Sequence, residues 1–224
     1  MITFHPILAA EAASLKPGTI LFLPPKDQIQ ARTYMDPSLH DGGYNHPVII
    51  VSCPPVKEMK HSSHVEIAIM TSFHGNTIKS HLAQKGIKHR TGTLAAEKAG
   101  YLRVVTSSKP YAKDVLKLRN GKGMKRDCSY VNVKQTFGVE VAALARYGGK
   151  GVDVDEFRLT VHAIKTLVEG VMKYRKRRKC VEHKPKAEMK EKIQKTGISV
   201  KTVPAKVAKK KLKSKLVEHV KEQL

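Results

Sequence analysis

The stretch His46-Pro47-Val48-Ile49-Ile50-Val51-Ser52 decides the fold class of this 224-residue chain. It has the length of a strand, and it is so apolar that both of its faces should be covered. Four further β-prone runs are bounded by proline, glycine or polar residues, as strands usually are. These runs are Gly18–Leu23, Val65–Ser72, Gly100–Thr106 and Ser129–Val133. Short strands joined by irregular loops predict a mainly β protein built as a small, strongly bent barrel.

Apolar residues at helical spacing predict helices after the last of these strands. Gly138 to Tyr147 is predicted as a short helix, and Asp153 to Tyr174 as an amphipathic helix capped by Asp153 or Asp155. A second, basic helix is predicted from Pro204 or Ala205 to Glu222. The predicted organisation is therefore a barrel domain at 1–150, an amphipathic helix ending in a basic cluster at 151–182, and a Lys-rich linker and basic helical tail at 183–224.

The charge of the chain is strongly positive and unevenly spread. The formal net charge is +23, from 42 Lys and Arg against 19 Asp and Glu. Between Lys173 and Leu224 there are 19 basic and 5 acidic residues, so this segment alone carries +14. Such an excess favours a polyanionic partner, which is RNA, DNA or an anionic lipid. A solvated, solubilising extension and a nuclear import signal are the alternative explanations for the basic end.

Nothing in the sequence predicts a membrane partner. No apolar run approaches the roughly 18 residues needed to cross a bilayer. Met1 to Ser14 lacks a positive start and contains Glu11, so it is a poor secretory signal. The three cysteines are too few and too scattered for a disulfide framework, and their odd number suits a reducing compartment. We predict an intracellular protein of the nucleus or cytoplasm.

Four pieces of the chain, in order, resemble the PemK/MazF-like family, and uncharacterised fungal PemK-like proteins most closely. They are Pro17 to Leu23, His46 to Ser52, Val65 to Ser72 with the following Phe73-His74-Gly75, and Ser129-Tyr130-Val131-Asn132. The resemblance covers about residues 15–147 and leaves out the basic tail. It implies an SH3-like barrel. For bacterial members it also implies a metal-free ribonuclease acting on single-stranded RNA, usually as a homodimer.

The resemblance also implies where catalysis would lie. Bacterial members carry an Arg before the Pro of the second strand, and a Thr or Ser at the end of the third strand. Thr71 and Ser72 match the second position, whereas His46 replaces the Arg of the first. His46 could act as general acid or base, together with His74 after the third strand. Alternatively the loss of the Arg has removed cleavage and left a binding module.

Several basic and polar residues are predicted to contact nucleic acid. Arg32, Tyr44 and Asn45 belong to a long polar loop at residues 26–45, which also contains Asp41. The other predicted contacts are Lys122, Lys125, Arg126, Lys173, Arg175, Lys176, Arg177, Arg178 and Lys179.

Other chemistries find no support in the sequence. Gly121-Lys122-Gly123 lacks the spacing of a nucleotide-binding P-loop, and no Gly-x-Ser-x-Gly motif is present. The histidines between His61 and His89 match no metal-ligand pattern, so we predict no metal and no cofactor. The predicted function is RNA binding by a PemK-like barrel with a basic tail, with or without cleavage. A metal-free endoribonuclease is the first alternative, and a structural or ribosome-associated basic protein is the second.

Overall fold

Seven strands and four helices make up the part of the chain that the computed structural model describes, which is residues 4–53, 64–84, 91–108 and 115–182. The strands are β1 (Ile20–Leu23), β2 (His46–Ser52), β3 (His64–Thr71), β4 (Tyr101–Val104), β5 (Ser129–Asn132), β6 (Phe137–Glu140) and β7 (Ala145–Arg146). The helices are α1 (Ala9–Ala12), α2 (Ile78–Gln84), α3 (Thr91–Ala99) and α4 (Val161–Glu182). The predicted linker and basic tail at 183–224 lie outside the described residues.

All strand pairs of the sheet are antiparallel, and their order is β4-β5-β3-β2-β1-β7, with β6 beside β3. The central strand is β3, which pairs with β2 along one edge. Along its other edge it pairs first with β6, from His64 to Ile67, and then with β5, at Met70 and Thr71. The predicted mainly β class is confirmed. The pairings among the described residues leave the sheet open, so the closed barrel stays a prediction.

The alternation of side chains along β2 and β3 divides the core between the two faces of the sheet. Ile49 and Val51 belong to one buried cluster, in which Leu167 of α4 also takes part. Val48 and Ile50 belong to a second cluster on the opposite face. Because successive residues of β2 are buried on alternate faces, the strand is apolar throughout, as its sequence predicts.

Helix α4 confirms the predicted amphipathic helix but begins later than expected. Thr160 caps it, since its Oγ1 accepts a hydrogen bond of 3.3 Å from the backbone N–H of Ala163. The prediction that Asp153 or Asp155 caps the helix is therefore wrong. The backbone N–H of Asp155 donates to Asp153 Oδ1 at 2.8 Å, so these two residues close a turn of their own before the helix.

The predicted helix between Gly138 and Tyr147 is wrong, because tertiary pairing overrides the local spacing of apolar residues. Val139 of β6 pairs with Val65 of β3, and Ala145 of β7 pairs with Phe22 of β1. Between the two strands, Val141–Ala143 forms a single 3-10 turn. Each short strand gains its hydrogen bonds from a partner that is distant in sequence.

The chain divides into two compact units, Met1–Lys179 and Cys180–Leu224. Within the first unit, one polar contact joins α4 to the sheet and another joins it to α3. Arg175 forms an ion pair with Glu66 of β3, and the Tyr174 hydroxyl donates to the Ala96 carbonyl oxygen at 2.7 Å. None of the described helices is long and apolar enough to cross a membrane.

Candidate functional site

Two of the predicted catalytic residues lie side by side where β2 begins and β3 ends. His46 is the first residue of β2, and Thr71 is the last residue of β3. Val48 pairs with Ile69, so the same register continued by two residues places His46 opposite Thr71. Directly opposed residues of antiparallel strands share a face, with Cβ atoms about 5 Å apart. His46 and Thr71 are therefore neighbours on one face of the sheet.

His74 joins this pair from the 3-10 turn Phe73–Gly75, which follows β3. The pKa of His46 is lowered chiefly by burial, whereas the Met70 carbonyl raises it and the nearby His74 lowers it further. His74 is thus close enough to His46 to act on its charge. His46 is half-buried and His74 is exposed. At neutral pH the His46 ring is mainly uncharged, with a nitrogen able to accept a proton.

The backbone on both sides of this cluster adopts a conformation that side chains rarely favour. Asn45 has φ +59°, Phe73 has φ +46° and His74 has φ +56°. No other described residue except glycine has a positive φ. Such left-handed residues cost on the order of 1–3 kcal/mol each, and they concentrate at functional sites. The turn is held by two hydrogen bonds, from Phe73 N–H to Thr71 Oγ1 at 3.3 Å and from Gly75 N–H to the Ser72 carbonyl at 2.8 Å.

Ser72 is half-buried between Thr71 and the turn. Its carbonyl takes part in the turn, but no hydrogen bond of its hydroxyl is found among the described residues. The structure therefore brings His46, Thr71 and His74 together, while the side chain of Ser72 has no described contact with them.

Two further residues extend the cluster across the sheet, and the sequence analysis did not select either of them as a site residue. Thr71 pairs with Tyr130 of β5, and Tyr130 pairs with Arg103 of β4. We call His46, Thr71, Tyr130 and Arg103 the polar row, since they lie in register on four neighbouring strands. The available signal was Arg103 itself, which is a lone charge within the apolar run Tyr101-Leu102-Arg103-Val104-Val105.

Tyr130 is the buried member of the polar row. Its ring packs 5.4 Å from the ring of Phe73, measured between centroids, and its hydroxyl accepts a hydrogen bond of 3.3 Å from the Ile78 N–H at the start of α2. Burial raises the pKa of Tyr130, and the positive charge of Arg103 partly opposes that shift. The phenol is therefore protonated at neutral pH, and the turn that carries His74 is packed against it.

The predicted loop residues divide into those near the polar row and those engaged elsewhere. Asn45 is exposed and directly precedes His46. Asp41 pairs with Lys26 at 3.0 Å, and the Lys26 ammonium lies 5.9 Å from the centre of the Tyr44 ring. Arg32 is exposed. Of the predicted loop residues, Asn45 is the one that directly adjoins His46 in the chain.

The predicted basic residues before β5 lie in mixed surroundings. Lys122 forms an ion pair with Glu156. Asp153 and Asp155 also line an open depression at this position. Their negative carboxylates would repel a phosphate. Lys125 and Arg126 are exposed to solvent.

The basic end of α4 is only partly available to a ligand. Arg175 is engaged by Glu66, and it also donates to Thr136 Oγ1 at 3.1 Å. Lys173, Lys176 and Arg177 are exposed, and the guanidinium carbon of Arg177 lies 5.5 Å from the centre of the Tyr174 ring. The side chains of Arg178 and Lys179 lie outside the described part of the structure.

Among the described residues, no group of three or more His, Cys, Asp or Glu side chains is arranged to hold a metal ion. Comparison with protein-family models finds no matching family, and comparisons with the curated proteins and with the solved structures find no significant match. We therefore infer the function from the residues of this chain.

Proposed function

We propose that this protein binds single-stranded RNA, with the strand lying across the polar row. The observation that carries the proposal is the composition of this row, which offers imidazole, hydroxyl and guanidinium groups without a carboxylate. The groups that shift the pKa of His46 likewise include no acidic side chain. Together with the net charge of +23, this composition favours a phosphodiester over a cationic or neutral ligand.

We also propose that the fold is an SH3-like barrel of PemK/MazF type. Closing the barrel would require strand pairs in addition to those of the described sheet. In its support, the four motifs that carry the resemblance fall on β1, β2, β3 and β5 of one antiparallel sheet. The residues implied by the family at the second and third strands, His46 and Thr71, are neighbours in that sheet.

Equilibrium binding of a labelled, single-stranded oligoribonucleotide tests the proposed function. We compare the full chain with the double variant His46→Gln/His74→Asn, in which Asn tolerates the left-handed backbone of position 74. Losing one or two hydrogen bonds to phosphate should weaken binding about three- to tenfold. His162→Gln is the matched control, because His162 is exposed on α4, which packs on the opposite face of the sheet. Absence of binding, or equal binding by all three proteins, would overturn the proposal.

Metal-free cleavage of the bound RNA is the second candidate, and the proximity of two histidines in different surroundings favours it. His46, neutral because of its burial, would take the proton of the ribose 2′-hydroxyl. The 2′-oxygen would then attack the phosphorus, and the bond to the 5′-oxygen would break. His74, which is exposed, would act as the general acid and give a proton to that leaving oxygen. The products are a 2′,3′-cyclic phosphate and a 5′-hydroxyl end.

Incubation of single-stranded RNA with the protein in EDTA distinguishes cleavage from binding alone. If the protein cleaves, His46→Gln should lower the rate about a hundredfold or more, as removal of a general base does. His74→Asn should lower it as well, and His162→Gln should leave it unchanged. Absence of products would eliminate the nuclease but leave the binding proposal intact. Products that persist in both site variants would identify a contaminating nuclease and count against this candidate.

A further inference from the structure

We infer that Arg103 is a phosphate-binding residue that holds the RNA next to the His46 and Thr71 pair. This inference rests on the proposed RNA-binding function. It makes Arg103 the positively charged end of the polar row. Arg103 lies in the middle of β4, opposite Tyr130, and it is half-buried.

The lack of a carboxylate beside Arg103 is the first argument. Of the described arginines that are half-buried, Arg146 pairs with Glu11 at 2.6 Å and Arg158 pairs with Asp155 at 3.6 Å. Arg103 forms no ion pair with any described residue, and its positive charge acts to lower the pKa of the neighbouring Tyr130 phenol. A partly desolvated guanidinium without a counter-charge is unfavourable, and an incoming anion would supply that counter-charge.

Lys134, a lysine beside Tyr101 of β4, is already neutralised, which distinguishes Arg103 from it. Lys134 lies over the Tyr101 ring, with its ammonium 4.7 Å from the ring centre. It also forms an ion pair with Glu97 of α3. The charge of this lysine is therefore balanced within the fold. The charge of Arg103 is not balanced by a carboxylate of any described residue, so it is available to an anionic ligand.

The spacing of the sheet indicates which phosphate Arg103 would hold. Arg103 and Thr71 are separated by two strand spacings, or roughly 10 Å at about 4.8 Å for each spacing. A phosphate beside His46 and Thr71 is therefore not the one that Arg103 contacts directly. We assign to Arg103 a neighbouring phosphate of the same strand, bound by the two-pronged hydrogen bonding that a guanidinium provides. Arg103 is thus a positioning residue for the RNA.

The salt dependence of RNA binding tests this assignment in the full chain. Arg103→Gln should weaken binding to all single-stranded sequences by a similar factor, and should reduce the slope of log K against log salt by about 0.7. Arg103→Lys keeps the charge, so it should keep the slope and lose only part of the affinity. Arg119→Gln is the charge-matched control, because Arg119 is exposed beside the acidic depression. Thermal unfolding of each variant establishes that the fold is retained, and Arg103→Lys carries the test if Arg103→Gln does not fold.

The possible outcomes distinguish the assignment of Arg103 from the proposed RNA-binding function. If the wild-type protein binds RNA and Arg103→Gln binds equally well with the same slope, the assignment is overturned and the proposed function stands. Equal losses in Arg103→Gln and Arg119→Gln would also overturn it, since they would reflect net charge alone. If the wild-type protein binds no RNA, a titration with inorganic phosphate becomes decisive. A shift of an Arg side-chain NMR resonance that disappears in Arg103→Gln would support an anion site there, and an absent shift would reject it.

Discussion

At the scale of single residues, His46 shows how position sets chemistry. The first residue of a strand has water on one side and the sheet on the other, so the imidazole is only half removed from solvent. Burial disfavours its charged form, and the neighbouring His74 disfavours that form further. An arginine at the same position would keep its charge, whereas His46 is mainly neutral at neutral pH. A histidine at this position therefore offers a proton acceptor, where an arginine would offer a permanent cation.

The lowered pKa of His46 predicts how stability depends on pH. The unfolded chain takes up a proton near pH 6.5, whereas the folded chain does so only at lower pH. The contribution of His46 is therefore fully present above about pH 6.5, and it is lost as the pH falls through the folded pKa.

Chemical denaturation at about pH 7.5 and about pH 5 measures this contribution. The free energy of unfolding should fall more between these two values for the wild-type protein than for His46→Gln. The exposed His162, changed to Gln, provides the control and should leave the pH dependence of the wild type unchanged. An equal fall in the wild type and in His46→Gln would contradict the prediction.

At the scale of elements, α4 is part of the folded body through its apolar stripe. Ala163, Leu167 and Val171 recur at helical spacing, and all three are buried in the same cluster as Ile49 of β2. The opposite side of the helix presents Val161, Val168 and Met172 to solvent. The packed stripe positions the basic end of the helix, where Arg175 contacts Glu66 of β3.

Truncation within this stripe should destabilise the whole fold. Leu167→Ala removes a side chain with 0% exposure, so it should lower the free energy of unfolding by about 2–5 kcal/mol. Val168→Ala, one position along and 37% exposed, should change it by less than about 1 kcal/mol. Urea denaturation of the full chain measures both variants. Similar small losses for the two variants would show that α4 contributes little to the stability of the core.

At the scale of the whole molecule, ion pairs within the fold neutralise part of the positive charge. Ion pairs engage Lys26, Lys122, Lys134, Arg146 and Arg175 with acidic partners. Exposed cations such as Lys173, Lys176 and Arg177 on α4 are not included in these pairs. The electrostatic attraction for RNA should therefore come from the second group and from Arg103.

Neutralising the exposed cations of α4 should reduce the salt dependence of RNA binding. The triple variant Lys173→Ala/Lys176→Ala/Arg177→Ala should reduce the slope of log K against log salt by up to about 2, at about 0.7 for each phosphate contact. Lys16, Lys117 and Lys150 are exposed on other segments, and their triple Ala variant is the charge-matched control. The same reduction in both triple variants would show that α4 has no special role in binding.

The sequence predictions succeeded where the structure depends on neighbouring residues, and they failed where it depends on residues that are distant in sequence. Each of the five predicted strands overlaps a strand of the structure, because dense apolar β-prone runs and their bounding residues are local signals. The predicted helix at Gly138–Tyr147 failed because its residues pair with β3 and β1, which are distant in sequence. The start of α4 was misplaced because two plausible caps, Asp153 and Asp155, were closed into a turn by their own hydrogen bond.

The candidate site shows the same division between local and distant information. His46 and Thr71 could be selected because they occupy the positions that the family resemblance implies, and His74 because it follows the third strand. Arg103 could not be connected with them, since nothing in the sequence indicates that β4 lies next to β5 and β5 next to β3. Arg175 was expected to be free for RNA, but it is bound to Glu66, which is far away in the sequence.

The sequence by itself determined the mainly β class, the amphipathic helix before the basic tail, and the strongly positive charge from which we predict a polyanionic partner. These properties follow from composition and from periodicity over short stretches, which need no knowledge of neighbouring strands. Only the tertiary structure decided that His46, Thr71, Tyr130 and Arg103 form one row, and which cations are already paired. The physical reason is that strand register and side-chain burial are set by contacts between distant segments, which brought an arginine from β4 to the face that carries the histidines.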